Sequence, residues 1–174
     1  PPADYTIING ADVKTLDPAL ASGVPEGRVL WSLFEGLCAW EPRNLEPIPG
    51  VAERWEISPD KKTYTFHLRD GLKWSNGDPL VAQDFVNGVL RTLDPATTSE
   101  KGYYFYSTIQ VKGAEAMANG ETTAPATVGV TAPDARTVVV EMLTPAPHIL
   151  DLMGSFQLAP LHGPSFAANG AAVF

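Results

Sequence analysis

The chain has 174 residues, of which 44% are hydrophobic, so it can form one globular domain, or one domain and part of another, with a sizeable buried core. Its twelve basic and twenty acidic residues give a net charge of −8, which argues against a nucleic-acid partner because neutralising phosphates requires clustered Lys and Arg. With one cysteine and no apolar run of the roughly 18 residues that a transmembrane helix needs, the sequence predicts neither an internal disulfide nor a membrane-spanning helix.

The first quarter of the chain is predicted to form a strand and then a helix. Residues 4–9 suit a short strand, and residues 10–23 contain turn signals. Residues 25–40 are predicted to be helical, because proline is favoured at the first helical position and apolar residues recur at three- and four-residue spacing. Cys38, within this run, is expected to be a small buried packing residue. The proline-rich segment 41–50 should end the helix and separate two lobes.

A β-hairpin is predicted next. Residues 54–58 and 63–68 have strand composition, and the Ser-Pro-Asp-Lys sequence between them has the chemistry of a tight turn. In the second strand, Tyr64, Phe66 and Leu68 alternate with polar residues and therefore share one face. This face is expected to be buried.

The rest of the chain mixes helices and strands without regular alternation. Such an order favours an α+β sheet with helices packed against it over a doubly wound parallel sheet. The predicted elements are a helix at 81–93, a helix at 108–118, strands at 128–131 and 137–143 around a turn, a short helix at 148–153, and an extended run at 156–161.

The sequence offers little that indicates catalysis. Its histidines, His67, His148 and His162, do not form the H-x-x-H or H-E-x-x-H pairs of a sequence-local metal site. A nucleophile elbow, a phosphate-binding P-loop and a dinucleotide fingerprint are also missing from the sequence. We therefore expect a protein that is not an enzyme and that needs no cofactor or metal.

Aromatic residues leave two interpretations open. The four tryptophans are better explained by packing than by stacking on a ligand. Residues 102–106 read Gly-Tyr-Tyr-Phe-Tyr, and tyrosine combines an apolar ring with a hydroxyl, which suits a wall that contacts an amphipathic ligand. A loop packed into the core explains the same cluster equally well.

A series of motifs follows in order along most of the chain. They are T-L-D-P at 15–18, L-F-E-G-L at 33–37, P-G-V-A-x-x-W-E at 49–56, Y-T-F-H-L-R at 64–69, K-W-S-x-G-x-P-x-x-A-x-D-F at 73–85, a strand pair at 129–130 and 137–143, and P-x-P at 145–147. This series resembles the extracytoplasmic solute-binding proteins of the peptide/nickel-binding family, the ligand-capturing subunits of ABC importers. So many matches in the same order make chance improbable.

The resemblance implies a fold and its organisation. It implies a periplasmic binding protein-like fold of type II, in the peptide-binding branch, with a mixed sheet and packed helices. Residues 1–40 would begin the ligand-binding lobe, 41–147 would form a small accessory lobe, and 148–174 would return to the first lobe without completing it. Since family members are far longer, the chain is expected to be a fragment of a two-lobe protein.

The resemblance also implies a function. The protein would capture a peptide-like solute and deliver it to an ABC permease, in the periplasm or attached to the outer face of the membrane. Its partners would be the ligand, the permease and the remainder of its own two-lobe fold. Peptide is the default ligand, while nickel chelates, opines and oligosaccharides are bound elsewhere in the family.

Two segments carry the ligand-binding residues that the resemblance implies. Ser22, Gly23 and Val24 lie in the loop after T-L-D-P. Lys101 immediately precedes the aromatic cluster, and Tyr103 and Tyr104 lie within it. Ser22, the residue before Gly23, departs from the family pattern. In the oligopeptide-binding branch an acidic residue often precedes this glycine and meets the ligand's amine, whereas a neutral hydroxyl cannot offset a buried ammonium. This difference counts against a peptide with a free amine and makes a neutral or differently charged ligand more plausible.

Two further hypotheses come from other classes. The chain could be a stand-alone interaction or assembly domain without a small-molecule site, or a weak hydrolase. Ligand-dependent stabilisation separates the first hypothesis from solute binding, because a ligand that binds only the native state raises its apparent stability. Turnover of generic ester and peptide substrates tests the second.

Overall fold

A computed structural model describes residues 8–170 of the chain, and its regular elements surround two small sheets. Single turns of π-helix at Tyr104–Thr108 and of 3₁₀-helix at Phe156–Leu158 accompany the longer elements. The helices are α1 Val24–Leu33, α2 Ala82–Leu93, α3 Ala114–Ala118, α4 Ile149–Leu152 and α5 Gly163–Asn169, and the strands are β1 Cys38–Trp40, β2 Pro47–Pro49, β3 Ala52–Ile57, β4 Thr63–Leu68, β5 Val130–Asp134 and β6 Thr137–Glu141.

The larger sheet has the strand order β3-β4-β6-β5, and the smaller sheet pairs β1 with β2. Every named strand pairing in residues 8–170 is antiparallel, so the parallel pairings of a mixed sheet are not found in this part of the chain. Helix α2 packs on the larger sheet, in keeping with the α+β prediction. None of the helices in the described part of the chain is both long and apolar enough to cross a membrane.

The predicted hairpin is confirmed. Strands β3 and β4 pair with Trp55 opposite Phe66, and Lys61 at the turn adopts a positive φ of 57°. Along β4 the side chains of Tyr64, Phe66 and Leu68 are buried at 3%, 0% and 1% exposure, as their alternation predicted. This face supplies the centre of the main core.

The helix predicted at 25–40 is wrong beyond Leu33. Residues Cys38–Trp40 instead form a strand that pairs with Pro47–Pro49, and the backbone at Gly36 passes so close to another segment that an added Cβ would lie 2.3 Å from the Met153 carbonyl oxygen. The predicted packing role of Cys38 is confirmed, since its side chain is buried and that burial raises the thiol pKa to about 12. The apolar spacing used to predict the helix thus extends beyond its last residue, Leu33, and did not mark where the helix ends.

The helix predicted at 108–118 is also only partly formed. Gln110 and Gly113 have positive φ values of 59° and 70°, which end the π-helical turn and leave only α3 as α-helix. Between them, Val111 bridges to Met142 beside β6. Tertiary pairing with the sheet thus replaces helical hydrogen bonds in the middle of this segment.

Smaller differences occur at both ends. The strand predicted at 4–9 lies almost entirely outside the described residues, and residues 8 and 9 are not in a strand. The run expected to be extended at 156–161 begins with a 3₁₀ turn, and α5 follows it without having been predicted. For α2, α4, β5 and β6, the predicted and observed ends agree within about two or three residues.

The start of α2 predicts a stabilising substitution. Val81 is the N-cap residue, with extended backbone, and cannot accept a hydrogen bond from the first turn. Asp84 fills the other half of a capping box, because its Oδ2 accepts from the Val81 N–H at 3.1 Å. We expect Val81→Thr to raise the free energy of unfolding by about 0.5–2 kcal/mol, measured by urea denaturation. Val81→Ala, which supplies no hydroxyl, is the control, and an unchanged or less stable Thr variant would contradict the prediction.

Candidate functional site

The first candidate segment lies at the N-terminus of α1. Gly23 is the N-cap of this helix, and Pro25 lies in its first turn. The Glu26 side chain folds back over Gly23, where an added Cβ would lie 2.1 Å from its Oε2. Glu26 Oε1 accepts a 2.8 Å hydrogen bond from the Lys14 N–H, and that bond is the main reason why the Glu26 pKa is lowered. The Gly-Val-Pro-Glu sequence is therefore a local helix start that leaves Ser22 exposed at its edge.

A short hydrogen-bonded link connects the second candidate segment to the first. Ser99 Oγ donates to the Ala19 carbonyl oxygen at 2.6 Å and accepts from the Lys101 N–H at 3.1 Å. The residues joined by the first bond are 80 positions apart in the sequence. The start of the aromatic segment is thus fastened to the loop that carries Ser22.

Lys101 is the most unusual residue of the site because its side chain is almost fully buried. The residue is 6% exposed, and its Nζ lies 4.8 Å from the centre of the Phe156 ring. Phe156 in turn packs with Ala21 and Leu30 in a small core beside α1. Burial lowers the pKa of Lys101, while the charges of Tyr104, Asp17 and Glu26 oppose that effect.

The two candidate tyrosines form a stacked pair. The ring centres of Tyr103 and Tyr104 are 4.2 Å apart, with an angle of 29° between the rings. Their hydrogen bond is the largest cause of the raised pKa of Tyr103. Tyr103 is 42% exposed, so its ring contributes aromatic surface that a ligand could cover.

Exposed apolar residues continue along the first segment. Leu20, Val24 and Trp31 are 39%, 67% and 55% exposed. The Trp31 ring packs 5.5 Å from the Phe156 ring that faces Lys101, so part of this aromatic surface adjoins the buried cation. Such surface suits binding of a molecule that combines apolar groups with polar ones.

Sequence reasoning missed the ion pair that supports this region. Both carboxylate oxygens of Asp17 accept from Arg91 on α2, at 2.7 Å and 2.5 Å, and the two side chains are 3% and 10% exposed. The Arg91 guanidinium also lies 5.0 Å from the centre of the Phe166 ring on α5. The T-L-D-P motif pointed to Asp17, but nothing in the sequence identified a partner 74 residues away.

A Ser-His-Asp arrangement bears on the hydrolase hypothesis. His162 Nε2 lies 3.1 Å from Asp78 Oδ2, and His162 Nδ1 lies 2.6 Å from Ser165 Oγ. His162 is the N-cap of α5 and also accepts from the Ser165 N–H at 3.3 Å. The three residues thus fasten the turn before α2 to the start of α5, beside a cleft of about 230 Å³ that includes Trp74. Helix capping accounts for the contacts between His162 and Ser165, and the hydrolase hypothesis stays a prediction.

Metal binding finds no support in the described residues. Within 8–170, no group of three or more His, Cys, Asp or Glu side chains is placed to hold an ion.

Comparison with known protein families gives one match that covers most of the chain. The family model described as the middle region of bacterial extracellular solute-binding proteins, family 5, matches residues 46–172. This range includes the larger sheet, α2 and the aromatic segment, and it excludes α1.

Curated relatives extend the similarity towards the N-terminus. The chain is 42% identical over 155 residues to the periplasmic oligopeptide-binding protein OppA of Haemophilus influenzae, which covers 89% of this chain and 28% of the relative. It is 40% identical over 147 residues to the periplasmic murein peptide-binding protein MppA of Escherichia coli, covering 84% and 27%. The chain therefore spans less than a third of the length of these relatives.

Solved structures show the same likeness in three dimensions. The crystal structure of Haemophilus influenzae OppA in complex with RPPGFSPFR matches with a TM-score of 0.86 at 41% identity, covering 93% of this chain and 31% of that one. The fold described above is thus shared with a part of a solved peptide complex.

Proposed function

Because the chain belongs to family 5 of the bacterial extracellular solute-binding proteins, we propose that it captures a peptide-like solute for an ABC importer. The observation that carries the proposal is the likeness to Haemophilus influenzae OppA, a structure that contains the peptide RPPGFSPFR. Family members are binding proteins, so the proposed mechanism is capture and delivery without covalent chemistry. The location that follows is outside the cytoplasmic membrane, where a permease partner would receive the solute.

The ligand-binding wall that we propose consists of the segments 22–24 and 101–104. The hydrogen bonds of Ser99 to Ala19 and Lys101 connect the start of the second segment to the loop that leads into the first, and the exposed fractions of Val24 and Tyr103, 67% and 42%, leave apolar surface for a ligand. Since the chain spans 28% of the length of one relative, a second lobe would come from polypeptide beyond these 174 residues. The division into 1–40, 41–147 and 148–174 is the lobe organisation that goes with this proposal.

Thermal unfolding with a peptide tests the proposal. At a concentration of RPPGFSPFR about 100-fold above its Kd, binding to the native state should stabilise the protein by about 2.7 kcal/mol. For a chain of this size the melting temperature should rise by roughly 5–10 °C. The same peptide sequence in scrambled order and an unrelated charged solute are the controls for non-specific effects.

A variant pair locates the binding surface. Tyr103→Ala should reduce the peptide-dependent rise in melting temperature, because it removes part of the exposed aromatic wall. Ile57→Ala is the matched control, since Ile57 is a 45% exposed apolar residue on β3, outside the proposed wall. If no peptide in a varied set changes the melting temperature, the stand-alone interaction domain becomes the better hypothesis.

A further inference from the structure

Among residues 8–170, no carboxylate forms an ion pair with the buried ammonium group of Lys101. Its Nζ lies instead over the face of the Phe156 ring, 4.8 Å from the ring centre. A cation–π contact offsets only part of the cost of removing an ammonium from water. The residue is nonetheless 6% exposed, less than most lysines, which keep their charged ends in solvent.

The carboxylates whose charges reach Lys101 are engaged elsewhere. Both oxygens of Asp17 accept hydrogen bonds from Arg91. Glu26 uses Oε1 to accept the Lys14 N–H, and its Oε2 lies over Gly23. Neither carboxylate forms an ion pair or hydrogen bond with the Lys101 ammonium in the described part of the chain, so its N–H donors have no described carboxylate partner at a place where the ring beside them is apolar.

We propose that Lys101 anchors a carboxylate of the bound solute, so that this site prefers ligands in which a carboxylate adjoins apolar groups. This inference rests on the proposed function and adds a charge preference to it. The apolar groups would cover the exposed rings and side chains nearby, of which Val24 and Tyr103 are examples. The carboxylate would complete the electrostatic environment of the ammonium with charge-assisted hydrogen bonds.

The test compares three short peptides by isothermal titration calorimetry. The first is Leu-Phe-Leu with a free C-terminal carboxylate, the second is its C-terminal amide, and the third is Leu-Glu-Leu amide, in which the carboxylate is on a side chain. The free acid should bind about tenfold more tightly than its amide. If the glutamate peptide binds as tightly as the free acid, the anchored carboxylate can come from a side chain, and if it binds like the amide, only the C-terminal group is accepted.

A variant assigns the preference to Lys101. In Lys101→Met the affinities of the free acid and its amide should differ by less than about twofold. Lys112→Met is the matched control, because Lys112 is an exposed lysine paired with Glu141, and the tenfold preference should persist in that variant.

The melting temperature of Lys101→Met without peptide is an independent test. Since the buried ammonium has no described counter-charge, Lys101→Met should melt at the same temperature as the native protein or a few degrees higher. A large fall in melting temperature would show that Lys101 stabilises the fold, and the proposed role would be wrong.

Two outcomes separate the inference from the proposed function. If the peptides bind without regard to their carboxylates, the anchoring role of Lys101 is overturned and peptide capture stands. If none of the peptides binds, and varied longer peptides also fail, then peptide capture and the anchoring role are overturned together.

Discussion

Arg91→Met is expected to lower the free energy of unfolding by about 3–5 kcal/mol, because it leaves the Asp17 carboxylate buried without its partner. The Asp17 side chain is 3% exposed, so water cannot readily replace the two hydrogen bonds that Arg91 donates. The only other group that donates to its oxygens in the described contacts is the Ala19 N–H, at 3.0 Å. Urea denaturation at neutral pH measures the change.

Arg69→Met is the control for this prediction. Arg69 also pairs with a carboxylate, Glu35, at 2.7 Å, but the two side chains are 45% and 51% exposed. An exposed pair of this kind is worth about 0–1 kcal/mol, so the control should change stability little. Equal losses in the two variants would contradict the claim that burial makes the Arg91 pair important.

A double variant tests whether the loss of stability comes from the buried, unpaired charge that Arg91→Met leaves behind. In Asp17→Leu with Arg91→Met, apolar side chains replace both charges, and most of the stability lost by Arg91→Met should return. The pair also joins the loop before the candidate site to α2, so peptide binding by the double variant shows whether that loop still has its native position. Weakened binding with recovered stability would assign the ion pair a positioning role.

Gly113→Ala is the second change expected to have a large effect, with a loss of about 2–5 kcal/mol. Gly113 has a φ of 70°, a conformation that costs other residues roughly 1–2 kcal/mol. An added Cβ would also lie 2.1 Å from the Thr127 carbonyl oxygen, a backbone atom that cannot move aside easily. Crowding in a packed region typically adds about 1–3 kcal/mol, and equilibrium denaturation measures the sum.

Gly71→Ala supplies the matched control. Gly71 has nearly the same φ, 71°, but an added Cβ would find no heavy atom within 4 Å. This variant should therefore lose only the conformational part, about 1–2 kcal/mol. If both variants lose the same free energy of unfolding, the close approach of Gly113 to Thr127 is not a reason why this position requires glycine.

The spacing of apolar residues along the sequence correctly predicted some of the strands and helices. The alternation of Tyr64, Phe66 and Leu68 identified β4 and its buried face. The four-residue spacing of Phe85, Val89 and Leu93 identified α2. These signals are reliable because period 2 and period 3.6 follow directly from backbone geometry. The same reasoning failed after Leu33, where an apolar run continued into β1.

Contacts between distant segments explain that failure and others. Cys38 pairs in a strand because Pro49 lies opposite it, and residues 108–118 do not form one helix because Val111 bridges to Met142. In each case hydrogen bonds to another segment replace those that a continuous helix would make. A sequence pattern within a single segment contains no information about such a partner.

The candidate site shows the same division. The amino-acid sequence by itself determined the family through ordered motifs, and it also indicated Ser22–Val24 and Lys101–Tyr104 as the segments to examine. Only the tertiary structure decided that Lys101 is buried against Phe156 without a described counter-charge, and that Asp17 is paired with Arg91. Burial and charge compensation depend on which segments meet in space, whereas motifs and periodicity depend on residues that are close along the chain.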